Sequence, residues 1–374
     1  MRNSFLKTSC LILGLFLVVA SIAVTPAQAS VDPQSALIEH GKYIATIAGC
    51  SDCHTNAKPE FLDPTKLTLP QIQLIAFDAD QTADNTKYLA GGRLFDLGPA
   101  GKVYSANITP DPETGIGSWT DEQIKVAIRT GQIPSGRILV PVMPYHSFNT
   151  MADLDLDAVV AYLRSVPPVK NEVPAPTFST EGFPPLPFTT GITAPPATDK
   201  AARGEYLVKS INSCTDCHTP LDPATGAPMM DKYLAGGQPY EGPWGTVYGG
   251  NITPDVETGI GSWTELEIKT AFMTGVNNKG RRLILMPWFA YSALSNDDAD
   301  AIAYFIKNRL PAVKNEVPAA SVNDAFNVMS PQAQTSPTFP TLYIIIAVVV
   351  LVLAVLVIIL LMRRKKPLPS NNKQ

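Results

Sequence analysis

The sequence predicts a mostly α-helical protein that consists of two tandem copies of one domain and one C-terminal transmembrane helix. Three observations predict this fold: a long internal repeat, apolar residues at helical spacing within each copy, and an uncharged apolar run near the end of the 374-residue chain. Little in either copy has the alternating pattern of a strand. A chain of this length can bury more than one core.

The internal repeat sets the domain boundaries. The block Asn-Ile-Thr-Pro-Asp-Pro-Glu-Thr-Gly-Ile-Gly-Ser-Trp at residues 107–119 returns 144 residues later, at 251–263, with one substitution. Residues 169–175 return unchanged at the same spacing. The predicted domains are residues 30–175 and 200–319.

Each copy is predicted to begin and end with a helix, at residues 35–48 and 155–166 in the first copy and at 200–211 and 297–310 in the second. Gly41 and Gly204 in the opening helices permit close approach of another helix, so the opening and closing helices are expected to pack together. A third helix follows each repeated tryptophan. Its capping box and terminal glycine are Thr120, Gln123 and Gly131 in the first copy, and Thr264, Glu267 and Gly275 in the second.

The two ends of the chain differ from its body. Residues 1–29 combine Arg2 and Lys7 with an apolar run and Ala-Gln-Ala, which is typical of a secretory signal peptide. Residues 342–362 carry no charge and are long enough to cross a bilayer as a helix. The basic tail that follows, 363–374, is predicted to stay in the cytoplasm. The domains are therefore expected on the extracytoplasmic side of the cytoplasmic membrane, held by one span.

Two proline-rich stretches are predicted to be linkers. Nine prolines lie between residues 167 and 196, and the linker between the copies is assigned to 176–199. The second linker, 320–341, would separate the second domain from the membrane. Such compositions favour extended, semi-stiff backbone.

The part of the chain between signal peptide and span is acidic. It holds 22 Lys and Arg against 33 Asp and Glu, a net charge of −11. This sign argues against nucleic acid as a partner and favours proteins that present basic patches.

The most specific motif is Cys-x-x-Cys-His, which occurs at residues 50–54 and again at 214–218. This spacing is typical of c-type haem attachment. The vinyl groups of one haem would bind Cys50 and Cys53 and its iron His54, and those of a second haem would bind Cys214 and Cys217 and its iron His218. Two disulfides or zinc sites would also use four cysteines, but neither explains a histidine after both pairs. We therefore predict two covalently bound haem c groups, in two tandem class I cytochrome c domains.

The second axial ligand of each iron is predicted to be a methionine. Met143-Pro144 and Met286-Pro287 occupy matching places in the two copies. A thioether favours ferrous iron, and the proline stiffens the loop that holds it. His40 and His146 have no histidine counterpart, so they are expected to be surface or packing residues.

Further side chains are candidates for haem contact. Tyr104, Asn107 and Trp119 recur as Tyr248, Asn251 and Trp263, and either haem contact or turn and core packing accounts for them. Arg137, Arg281 and Arg282 precede the methionine loops and are candidates for pairing with haem propionates, with solvated surface as the alternative.

The pattern of Gly-Gly, the Asn-Ile-Thr-Pro block and Met-Pro resembles the multihaem cytochrome c subunits of membrane-bound alcohol, aldehyde and gluconate dehydrogenases. The resemblance covers residues 36–319. It implies that Cys50, Cys53, Cys214 and Cys217 bind haem, that His54 and His218 are proximal ligands, and that Met143 and Met286 are distal ones. It also implies electron transfer from a dehydrogenase towards quinone or an oxidase.

These observations predict a membrane-anchored dihaem cytochrome that relays single electrons and is not itself the enzyme. Its expected redox partners are a dehydrogenase, a quinol-linked complex or a terminal oxidase. The alternative is a dihaem peroxidase with one open haem, which a methionine in both copies argues against. A docking anchor for a dehydrogenase and a gas sensor are further alternatives.

Overall fold

The computed structural model describes residues 32–224 and 226–330. The predicted signal peptide (1–29), transmembrane helix (342–362) and basic tail (363–374) lie outside the described residues. Within the described part of the chain, no helix is both long enough and apolar enough to cross a bilayer.

Helices dominate the described residues and fall into two corresponding sets. Those of the first copy are α1 (Pro33–Ile47), α2 (Cys50–His54), α3 (Leu69–Phe77), α4 (Asp121–Thr130), α5 (Tyr145–Phe148) and α6 (Asp153–Ser165). Those of the second copy are α7 (Lys200–Tyr206), α8 (Cys214–His218), α9 (Glu265–Thr274), α10 (Trp288–Tyr291) and α11 (Asn296–Asn308). The predicted mostly helical fold is confirmed. The first copy is longer between its haem motif and the repeated Tyr-Leu-Ala-Gly-Gly, with 33 residues between His54 and Tyr88 against 14 between His218 and Tyr233, and α3 lies in this stretch.

The opening and closing helices of each copy pack against each other, α1 on α6 and α7 on α11. A Cβ atom on Gly41 would lie 1.8 Å from the carbonyl oxygen of Ala158, and one on Gly204 would lie 2.0 Å from that of Ala301. Both crossings therefore depend on glycine, as predicted. Helix α7 differs from α1 because it continues as a π-helical turn, Leu207–Ile211.

Helices α4 and α9 begin and end as their sequences predict. Both capping boxes are formed, and the helices end at Gly131 and Gly275, which have left-handed φ values of 74° and 67°. These caps satisfy backbone groups that would otherwise have no partner within the helix.

Short strands supplement the helices. In the first copy β1 (Leu94–Asp96) pairs antiparallel with β2 (Lys102–Tyr104); in the second, β3 (Pro239–Gly242), β4 (Gly245–Tyr248) and β5 (Ser321–Val322) form an antiparallel sheet in the order β3-β4-β5. Strand β5 lies at the start of the predicted linker 320–341. The start of this linker is therefore paired with the second copy.

The linker between the copies has no helix or strand from residue 176 to residue 199. It nevertheless lies on the first copy: the Thr180 hydroxyl donates to the Ile138 carbonyl (2.7 Å), and Nη1 of Arg129 donates to the Thr189 carbonyl (2.5 Å). Arg129 is only 1 % exposed. Hydrogen bonds from a linker side chain and from Arg129 therefore fix this linker on the first copy.

The two copies share one hydrophobic core, because buried side chains of both belong to one continuous cluster. Polar contacts join the copies reciprocally. The hydroxyl of Tyr43 in α1 donates to Asp298 Oδ2 in α11 (2.6 Å), and that of Tyr206 in α7 donates to Asp155 Oδ2 in α6 (2.5 Å). We call this pair of hydrogen bonds the crossed tyrosine contact.

Candidate haem sites

Each Cys-x-x-Cys-His segment folds as a single short helix, α2 or α8. Residues three apart lie on the same face of a helix, so the two thiols of each pair face the same side, and the histidine ends the helix. Burial raises the pKa of Cys50 and of Cys214 to about 12. Among the described residues, no three His, Cys, Asp or Glu side chains are grouped to hold a metal ion. The four cysteines form no disulfide.

A backbone carbonyl fixes the tautomer of each proximal histidine. Nδ1 of His54 lies 2.7 Å from the Ala106 carbonyl oxygen, and Nδ1 of His218 lies 2.7 Å from that of Gly250. A carbonyl oxygen only accepts, so Nδ1 carries the proton and donates it. The neutral ring then has its lone pair on Nε2, which is the arrangement of a metal-ligating histidine.

The environment also keeps both rings neutral. Burial lowers the pKa of His54 and of His218 below the ordinary histidine value, although the hydrogen bond to the carbonyl opposes this shift. A ring that is neutral at physiological pH needs no proton loss before it binds iron.

The Gly-Gly motif holds the chain just after each histidine. The amide of Gly91 donates to the His54 carbonyl (2.7 Å), and that of Gly236 donates to the His218 carbonyl (2.6 Å). Both glycines have left-handed φ values, and a Cβ at either would lie within 2.6 Å of backbone atoms. The repeated Gly-Gly therefore marks this hydrogen bond in the sequence, but the sequence does not reveal that the histidine carbonyl accepts it.

Each copy contains a mainly apolar cavity that brings its predicted ligands together. The first has a volume of about 660 Å³ and is lined by Cys50, Cys53, His54 and Met143 among others. The second has a volume of about 430 Å³ and is lined by Cys214, Cys217, His218 and Met286 among others. Volumes of roughly 300 to 1,000 Å³ are typical of cofactor and ligand sites. The residues present thus fit a haem in each copy.

The two methionine loops have the same local fold. The amide of Tyr145 donates to the Met143 carbonyl and that of Trp288 to the Met286 carbonyl, both at 2.8 Å. The intervening prolines precede the short helices α5 and α10. This turn holds each methionine on its cavity wall, and its role as an axial ligand stays a prediction.

The repeated aromatic and amide residues divide into two groups. Tyr104 and Trp119 line the first cavity, as Tyr248 and Trp263 line the second. Asn107 also borders its cavity, but its side-chain amide donates to the Val169 carbonyl (2.8 Å), and Asn251 repeats this bond with Val313 (2.9 Å). The aromatic residues are therefore placed to contact a haem, whereas the asparagines stabilise the turn of the repeated block.

The three candidate arginines lie in different surroundings. Arg137 lines the first cavity and is placed to pair with a propionate. Arg282 instead forms a bidentate ion pair with Asp78, which belongs to the first copy. Arg281 is exposed.

Neither unrepeated histidine lines either of these two cavities. Nε2 of His40 lies 2.6 Å from Asp155 Oδ1, beside the crossed tyrosine contact, and His146 stacks on Tyr145 with ring centroids 4.3 Å apart. Arg203, at the place of His40 in the second copy, pairs with Asp298 in the same way (2.7 Å). Their placement agrees with the prediction that both histidines serve packing or surface contacts.

Comparison with known proteins shows what the chain is similar to. No protein-family model matches the chain. It is 32 % identical over 305 residues to the alcohol dehydrogenase (quinone), cytochrome c subunit, of Gluconobacter oxydans, which is 75 % of this chain and 56 % of that subunit. It is 29 % identical over 326 residues to the gluconate 2-dehydrogenase cytochrome c subunit of Pantoea cypripedii (79 % and 64 %), and 28 % identical over 293 residues to a dihaem cytochrome c-type protein of Cereibacter sphaeroides (73 % and 86 %).

These relatives are c-type cytochromes, and the relationship implies covalently bound haem c. The chain is a homologue of the cytochrome c subunits of alcohol and gluconate dehydrogenases, which confirms the predicted resemblance. It spans little more than half the length of the Gluconobacter subunit, 56 %.

Proposed function

We propose that the protein is a dihaem c-type cytochrome that relays single electrons as a subunit or partner of a dehydrogenase. One observation carries the proposal: each copy places its own Cys-x-x-Cys-His helix and its own methionine on the wall of one cavity. The dehydrogenase cytochrome subunits among its relatives support the choice of partner.

The chain's residues would hold each haem by two thioether bonds from Cys50 and Cys53, or from Cys214 and Cys217. A bound haem supplies one-electron redox chemistry. The neutral histidines would offer Nε2 to the iron, and the methionine loops would offer a sulfur. The mainly apolar walls would shield much of a bound haem from water, which would lower the cost of reorganising the surroundings when the charge changes. Such surroundings favour electron transfer.

The membrane location is part of the proposal. The signal-like residues 1–29, the uncharged stretch 342–362 and the basic tail after it support a single C-terminal anchor with the haem domains on the extracytoplasmic side. A chain that ends at residue 341 is expected in the soluble extracytoplasmic fraction, while the full chain sediments with membranes. Equal distribution of the two chains would contradict the anchor.

The test of the haem proposal is electron paramagnetic resonance of the oxidised full-length protein, together with its ferric-iron-to-methionine charge-transfer band. Two low-spin histidine–methionine centres are expected, and mass spectrometry should find two haems per chain. A double Cys50→Ala, Cys53→Ala variant and its match at Cys214 and Cys217 should each retain one haem. A high-spin or bis-histidine centre in the parent protein would instead favour the peroxidase alternative.

A further inference from the structure

The stretch by which the first copy is longer does not stay with that copy. Its helix α3 ends against the methionine loop of the second copy. Side chains of Ala76 and Phe77 form a buried cluster with Trp244 and Phe326, both of which follow the second Cys-x-x-Cys-His motif. Gln73 adds a hydrogen bond from its side-chain amide to the Ala325 carbonyl (2.8 Å).

Two hydrogen bonds join α3 to the loop on both sides of Met286. The amide of Leu285 donates to the Ala76 carbonyl (2.8 Å), and the indole Nε1 of Trp288 donates to the Phe77 carbonyl (2.6 Å). These carbonyls are at the C-terminal end of α3, where the last carbonyls have no partner within the helix. The contact therefore satisfies the helix end and fixes the backbone that carries Met286.

An ion pair closes the same contact. Asp78, directly after α3, accepts two hydrogen bonds from the guanidinium of Arg282, at 2.5 and 3.1 Å. The guanidinium also lies over the Phe77 ring, 4.7 Å from its centroid. Both charged side chains are mostly shielded from solvent, with 23 % and 17 % exposure, so this bidentate pair is more than a surface contact.

The backbone next to Met286 needs such support. Leu285 has a φ of 62°, a left-handed conformation that is unfavourable for a residue with a Cβ. Val142, the matching residue of the first copy, is not left-handed. Tyr145 replaces Trp288 there and has no indole N–H to donate. The two methionine loops thus differ at the residues that α3 contacts.

We propose that α3 with Asp78 is a positioning element that braces the Met286 loop, so that the second haem keeps its methionine ligand more firmly than the first. This inference rests on the proposed function. Movement of the loop that carries Met286 would break its contacts with Ala76, Phe77 and Asp78, so these contacts would oppose any release of the sulfur that involves the loop. Trp288 and Asp78 do not line the cavity, so they act on the iron only through the loop.

Imidazole binding to the oxidised full-length protein tests the brace. Met286→Ala identifies the kinetic phase of the second haem. Trp288→Phe removes the indole donor, and Asp78→Asn removes the ion pair without disturbing the apolar cluster. Each is expected to speed imidazole binding in the second-haem phase roughly threefold to tenfold, the factor expected for the loss of one buried hydrogen bond. Tyr145→Phe is the matched control in the first copy and should leave both phases unchanged.

The outcomes separate the two proposals. If both variants bind imidazole at the parent rate, or speed both phases alike, the brace is wrong while the haem assignment stands. If the parent protein shows no methionine-ligated centres, the proposed function itself fails. A change confined to the second-haem phase in both variants supports the brace.

Discussion

At the residue scale, the proximal histidines depend on atoms that no side-chain motif reveals. The acceptors of their Nδ1 protons are main-chain carbonyls of Ala106 and Gly250, each directly before a repeated Asn-Ile-Thr-Pro block. The sequence predicts the histidines from their spacing to the cysteines. It cannot predict the carbonyl, because alanine and glycine stand there and only the main chain is used.

Met286→Ala tests the distal ligand directly. We expect the variant to keep its covalent haem and to gain carbon monoxide binding at the reduced second haem, because the iron loses its neutral sulfur ligand. Difference spectra of the reduced protein under carbon monoxide measure this binding. Met230→Ala, at a methionine that is 64 % exposed, is the control and should behave as the parent protein. Carbon monoxide binding as low as in the parent protein would show that another group ligates that iron.

Arg129→Met tests the anchoring of the linker. The corresponding residue of the second copy is Met273, so the substitution gives the first copy the residue that the second copy has at this position. The variant leaves the carbonyls of Met151 and Thr189 without their guanidinium donor. We expect a loss of about 1 to 3 kcal/mol in the free energy of unfolding, together with faster proteolysis within the linker. Unchanged stability and unchanged cleavage would mean that the linker is held by its other contacts.

At the scale of elements, the packing of each opening helix on its closing helix was predictable from the sequence. A glycine at helical spacing within an amphipathic segment indicates close approach, and the α1–α6 and α7–α11 pairs fulfil it. The capping boxes of α4 and α9 were also predictable, because each joins two residues that are three apart in the sequence. Strands β1 to β5 were not predictable, because two to four residues are too few to show alternation.

Gly204→Ala tests the crossing of α7 and α11. The added methyl group would meet the Ala301 carbonyl at 2.0 Å, so the helices must separate. We expect a loss of about 1 to 3 kcal/mol despite the better helix propensity of alanine. Denaturant unfolding measures it, with Glu39→Ala at an exposed position of α1 as the control. A variant as stable as the parent protein would show that the two helices can move apart at little cost.

At the scale of the whole molecule, the crossed tyrosine contact joins the copies and includes a carboxylate with a perturbed pKa. Burial alone would raise the pKa of Asp298, but hydrogen bonds from Arg203 and Tyr43 outweigh it and hold the pKa below the ordinary value. Burial also raises the pKa of Tyr43 to about 12, so its hydroxyl stays a neutral donor. His40 adds a nearby positive charge when protonated.

The pH dependence of stability follows from this shift. Because the pKa of folded Asp298 lies below its unfolded value of about 3.9, its contribution is fully present above that value and is lost as the pH falls through the folded pKa. Asp298→Asn should therefore be less stable than the parent protein at pH 7, and the difference should shrink towards pH 3. Denaturant unfolding over this range measures it. A difference that stays constant with pH would exclude Asp298 as the group responsible.

The contacts between the copies were the part of the fold that sequence reasoning missed. Tyr43 and Asp298 are separated by 255 residues, and Gln73 and Ala325 by 252. Such pairs carry no local pattern, since a tyrosine or an aspartate on a helix has many possible partners. Sequence spacing shows that the first copy is longer between His54 and Tyr88 than the second is between His218 and Tyr233, but only the structure shows that α3 reaches the second methionine loop.

The crossed tyrosine contact is reciprocal, so the two copies meet as two identical subunits would. Each copy gives a tyrosine from its opening helix and takes one onto the aspartate of its closing helix, which is how the two subunits of a symmetric homodimer contact each other. In a homodimer such a contact forms in a concentration-dependent way, whereas in one chain it is permanent, because the linker keeps the second copy at high effective concentration. The two halves of the contact are not identical, since His40 faces Asp155 in one and Arg203 faces Asp298 in the other.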